Sequence, residues 1–143
     1  MAKLKKQHMT IHWKAIVQDD SSIPATEATL KEKATLVGRI GLMMLSVGTG
    51  AWRVRNSMNK VARCLGITCT ADIGLLAISY TCIEGTDTYT QSISNPTTGV
   101  NTHKLMQLEL FMKEFPDKVS TYSVKHIHEV LDEIQKLPAN YKA

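Results

Sequence analysis

The chain has 143 residues, is 43% hydrophobic and 21% charged, and carries a formal net charge of +4. That is the make-up of one ordinary folded domain and excludes a disordered or fibrous chain. The modest charge, much of it on Lys3, Lys5 and Lys6, also argues against a nucleic-acid partner. Cys64, Cys69 and Cys82 contain no CxxC pair and are odd in number, which argues against a disulfide framework and a zinc knuckle; they read as reduced packing residues.

Residues 1–24 read as a flexible leader, polar and without sustained period, closing on the turn Asp19-Asp20-Ser21-Ser22-Ile23-Pro24. The basic start runs into His8, Thr10 and His12 rather than an apolar core segment, so it is not a secretory signal. The domain then spans residues 25–143. From Thr26 the pattern is helical, with Leu30, Ala34, Val37, Gly41 and Met44 in one stripe and Leu36, Ile40, Met43 and Val47 widening it, which predicts a central helix. The apolar run from Leu36 to Val47 is interrupted by Arg39 and falls well short of the ~20 residues that span a bilayer. Gly48-Thr49-Gly50 stops this helix; it lacks the Gly-Lys-Ser/Thr ending of a phosphate loop.

A second helix is predicted from Thr49 or Ala51 to Leu65, with Ala51, Val54, Met58, Val61 and Leu65 inward and Arg53, Asn56, Lys60 and Arg63 on another face. Three β-rich runs follow, Ile67 to Ala71, Leu75 to Ile83 and Thr88 to Ile93. The turn residues Asp72-Ile73-Gly74 and Glu84-Gly85-Thr86-Asp87 between them predict an antiparallel meander, its apolar middle strand central. Asn95 to Gly99 ends the sheet. Asn101 or Thr102 caps a third helix with Leu105, Leu108, Phe111, Met112 and Phe115 inward, ended by Pro116. Ser120 or Thr121 caps a fourth, with Val124, Ile127, Leu131 and Ile134 inward, ended by Pro138. The fold class is therefore α+β: a small three-stranded antiparallel sheet packed on one face by about four helices, in the order ααβββαα.

The chemistry is sparse. His126 and His128 lie near Glu129, Asp132 and Glu133, but residues two apart on a helix diverge, and the pair His128 and Asp132 at i,i+4 on an exposed face makes a poor metal site. No GxSxG elbow is present, so no catalytic residue, metal or cofactor is assigned. The candidate binding residues are Trp52, Arg53, Arg55 and Asn56, where a Trp–Arg pair beside a helix start can hold an anion or carboxylate, although a Trp there is more often core.

The stretch Val47-Gly48-Thr49-Gly50-Ala51-Trp52-Arg53-Val54-Arg55-Asn56-Ser57-Met58, followed by Val61-Ala62-Arg63-Cys64-Leu65-Gly66, resembles the signature of the threonine/serine exporter family, roughly G-A-E-T-Y-R-V-E-x-x-M. The resemblance continues through Gly74 to Ser79, Gly99-Val100-Asn101 with Lys104-Leu105, and Leu131-Asp132-Glu133-Ile134. It implies a soluble cytoplasmic amino-terminal domain preceding membrane helices, at the inner face of a bacterial membrane. In that setting Leu137 to Tyr141 resembles the membrane junction and reads as a cut. The implied function is export of threonine, serine or related small carboxylates, with this domain regulatory or assembling. The implied partners are membrane helices of the same protein or a separate membrane subunit, with a homo-oligomer possible. The family's two acidic signature positions fall on Gly50 and Arg55 here, and Trp52 replaces its Tyr. That departure weakens the hydrolase-like activity suggested for such domains; a hydrolase and a homodimerising interaction module are the alternatives.

Overall fold

The computed structural model describes residues 23–74, 77–94 and 102–137. After a 3₁₀ turn at Ala25–Glu27, helix α1 runs Leu30–Ser46 and α2 Ala51–Cys64; strands β1 Thr68–Ile73, β2 Ala77–Glu84 and β3 Asp87–Ser94 follow, then α3 Thr102–Lys118 and α4 Val124–Gln135. The ααβββαα order and the antiparallel β1-β2-β3 sheet with β2 in the middle are those the sequence predicts.

Helix α1 starts later than the periodicity suggests, because Thr29 and Glu32 form a capping box: the Thr29 side chain accepts from the Glu32 N–H, and Glu32 accepts from the Thr29 N–H. Every residue from Glu32 to Leu45 is buried. The cause is position: α1 is a middle layer, with β2 and β3 on one side, α4 on another and α2 alongside. Gly41 lets α2 approach, since a β-carbon there would meet the Met58 side chain. On α2, Val54, Met58, Val61 and Leu65 are buried as predicted, whereas Ala51 at the helix start is exposed.

The register divides the sheet cleanly into two faces. Cys69, Cys82 and Tyr89 align in one row of the inner face, Ala71, Tyr80 and Gln91 in the next, and Ile73, Ile78 and Ile93 in the third. The outer face is hydroxylic, with Ser79 bonded to Ser92 and Thr81 to Thr90, each at 2.9 Å. Asp72 and Ile73 belong to β1 rather than to a turn. The β2–β3 loop is Gly85-Thr86, with Gly85 at φ 63° and no positive φ at Thr86, which is the type II′ pattern of tight hairpins.

Two further helix boundaries differ from prediction. Pro116 lies inside α3, which continues to Lys118. The proline cannot donate to the Met112 carbonyl and its ring crowds that group, but the residues after it keep their own donors, Val119 N–H bonding the Phe115 carbonyl at 2.9 Å, so the helix carries on for a further half turn. Helix α4 is capped by Ser123, whose hydroxyl accepts from the His126 N–H, not by Ser120 or Thr121. The expectations for the leader, for Leu75, for Asn95 to Asn101 and for Pro138 onward lie outside the described residues. No helix among those described is long and apolar enough to cross a membrane.

Candidate functional site

The four predicted residues share the amino-terminal half of α2 but do not converge. Arg53 reaches sideways to α3 and forms an ion pair with Glu109. Arg55 leans the other way, its Nε 3.4 Å from the Ala71 carbonyl of β1. Trp52 and Asn56, one turn apart, form the solvent-facing crest between them. Trp52 is 71% exposed, which corrects the expectation that it packs in the core. The reason lies in the helix phase: the inward stripe is set by Val54, Met58 and Val61, and position 52 falls roughly opposite it. With Lys60 and Arg63, α2 carries four basic residues and no acidic one.

The histidine pair resolves in the opposite sense. His126 is half exposed, stacks edge-on against Tyr122 with ring centroids 4.3 Å apart, and lies 3.8 Å from Glu129. His128 is completely buried, so the face carrying His128 and Asp132 is not solvated, as the sequence suggested, but turned onto α1. There Arg39 is 1% exposed and meets them: its Nη1 is 2.9 Å from His128 Nδ1 and donates to the His128 carbonyl, while Nη2 donates to Asp132 at 2.6 Å and to the Gln135 side-chain oxygen at 2.8 Å. Burial pulls the Arg39 guanidinium below its ordinary range, and the Asp132 carboxylate pulls it back up. Arg39 was visible in the sequence only as an interruption of an apolar run. A charge at mid-helix amid fourteen buried positions needs a partner at a distance, and i,i+4 acceptors on α4 are that partner.

Lys33 is a second buried cation of α1; its Nζ bonds Glu84 at the β2–β3 hairpin at 2.6 Å. Cys69 and Cys82 face each other directly across β1 and β2. Because the Gly74 N–H bonds the Ala77 carbonyl, the alternation of the ladder makes Cys69–Cys82 a non-hydrogen-bonded pair, the kind whose side chains stand closest. One thiol bonds the other, which lowers Cys69 and raises Cys82. Cys64 is pushed up by burial, the reverse of an activated nucleophile.

Where α3 meets α4, a shallow polar cleft of about 340 Å³ is lined by Thr121, Tyr122, Ser123, Lys125, His126 and Glu129. A smaller apolar one of about 120 Å³ adjoins it under Tyr122 and includes Phe111, Phe115 and Ile127. Neither is lined by Trp52, Arg53, Arg55 or Asn56. Among the described residues no three His, Cys, Asp or Glu side chains are grouped so as to hold a metal ion.

Buried ion pairs thus join the layers of the domain, and α2 presents a cationic surface. Residues 35–143 match the family described as "Putative threonine/serine exporter", and the chain belongs to that family. No curated protein and no solved structure matches it. The match begins within α1 and includes both partners of the Arg39–Asp132 pair.

Proposed function

We propose that this domain is the regulatory and assembly part of a membrane exporter of threonine, serine or related small carboxylates, placed at the cytoplasmic face of the membrane. The family match over residues 35–143 carries the reading. The interior supports a non-catalytic role for the buried polar groups: Arg39, His128, Asp132 and Gln135 are engaged in joining α1 to α4. In the signature helix, Gly50 and Arg55 stand where the family carries carboxylates, so a general acid or base is missing from those positions. The partners that fit are membrane helices, whether of the same protein or of a separate subunit.

Efflux of labelled threonine and serine from loaded cells expressing the complete gene tests this. Faster efflux than from vector-only cells is expected, together with loss of the effect when Asp132→Ala unseats α4. Efflux equal to the vector control, or turnover of ester or amide substrates by the purified chain, would overturn it.

A further inference from the structure

We infer that the crest formed by α2 and the first half of α3 docks onto an anionic lipid surface. Arg53, Arg55, Lys60 and Arg63 give α2 four cations without one carboxylate, and Arg55, Lys60 and Arg63 form no salt bridge among the described residues. Large apolar side chains stand among these charges. Trp52 is 71% exposed, and Met106 and Leu110, one turn apart on α3, are 56% and 47% exposed. The Arg53–Glu109 ion pair links the two helices where Trp52 adjoins Arg53 and Leu110 adjoins Glu109 in the chain, with Met106 one turn before Leu110. Only two other large hydrophobics among the described residues, Ile23 and Ile83, are comparably exposed. An exposed apolar group rimmed by polar residues marks an interaction surface.

Charge and chemistry select the occupant. A second copy would set four more cations against these, which like-charge repulsion disfavours. A nucleic acid would reward the cations and a stacking Trp, but not Met106 and Leu110. Lipid rewards all of them: cations settle among anionic headgroups, indole favours the membrane–water boundary, and apolar tips enter the acyl edge. The inference goes beyond the exporter reading and does not depend on it.

The test is flotation of the 143-residue chain with vesicles of phosphatidylcholine alone or with one-third phosphatidylglycerol. The two tryptophans are Trp13 and Trp52, so a Trp13→Phe background makes emission report on position 52 alone. Binding confined to the anionic vesicles, a blue shift of that emission, and weakening as salt rises are the expected results. The double variant Arg55→Ala/Arg63→Ala should partition roughly 25-fold more weakly, with an unchanged circular dichroism spectrum because both residues are exposed. Four outcomes would overturn the inference: equal binding to neutral vesicles, unshifted emission, wild-type binding by the double variant, which would place the affinity in the leader lysines, or tighter binding to single-stranded DNA. Vesicle binding without amino-acid efflux would remove the exporter reading alone, and efflux without vesicle binding would remove this inference alone.

Discussion

The hydroxyl of Tyr80 occupies the space that a β-carbon at Gly38 would need, and from there it donates to the Ala34 carbonyl of α1 at 2.7 Å. A strand residue thus gives an interior helix carbonyl a second donor inside the core, and the absence of a side chain at position 38 is the condition for it. The same phenol lies 2.9 Å from the Gln91 side-chain oxygen on β3, so one side chain joins the helix to two strands.

Gly38→Ala should therefore destabilise the domain by about 1–3 kcal/mol, because overpacking together with the displaced Tyr80 hydrogen bond outweighs the ~1 kcal/mol that alanine gains over glycine in a helix. Gly41→Ala should cost less, since its obstruction is the flexible end of Met58. Urea unfolding midpoints of the two variants check the order; a Gly38→Ala protein as stable as wild type would contradict the packing described.

For the Arg39 cluster an asymmetry is expected. Asp132→Ala leaves a fully buried guanidinium without its carboxylate and should cost about 3 kcal/mol or more, whereas Arg39→Met removes the buried charge and leaves a carboxylate that is 31% exposed and can hydrate. Arg39→Met should therefore be the more stable variant of the two. The reverse order in denaturant titrations would show that Arg39 is not held chiefly by Asp132.

Stability should also fall at alkaline pH. Burial raises the Tyr80 phenol far above its ordinary value of 10.0, so as pH rises the unfolded chain releases this proton before the folded one does. The contribution is complete below about pH 10 and is lost above it. Cys82 moves in the same direction, and the lowered Cys69 offsets part of its effect. Absorbance at phenolate wavelengths should show a Tyr80 phase that coincides with loss of helical circular dichroism and is missing in Tyr80→Phe; reversible titration of that phase in the folded protein would contradict the burial.

The opposed pair Cys69 and Cys82 should close under diamide, two thiols giving one disulfide while the diazene takes up two electrons and two protons. A loop of this size adds roughly 3 kcal/mol of stability in the chain-entropy picture. Peptide mapping should find the Cys69–Cys82 link with Cys64 still open to alkylation. A bridge involving Cys64 instead would refute the register of β1 against β2.

What the sequence made legible was whatever depends on periodicity. The inward stripes of α2 and α4, the meander and the central place of β2 follow from residues a few positions apart, and the structure agrees with them except at Ala51. What it hid depends on distance. Trp52 was judged by residue type, and only the phase fixed by Val54 and Met58 puts it outside. His128 and Asp132 read as a solvated face because their partner, Arg39, lies 89 and 93 positions earlier. The capping box of Thr29 and Glu32 was open to view as a Thr-x-x-Glu spacing, whereas the continuation of α3 through Pro116 depends on a turn that closes only in three dimensions.

The two buried cations of α1 set an order of assembly. Lys33 reaches 51 positions along the chain to Glu84, and Arg39 reaches 93 and 96 to Asp132 and Gln135. The α1–α2 and strand–strand contacts are local and close cheaply, while the tie to α4 encloses most of the domain and carries the largest loop entropy. By loop entropy alone, helix α4 is the element expected to dock last. In hydrogen exchange the amides of α4 should lose protection on Arg39→Met, which removes the tie to α1.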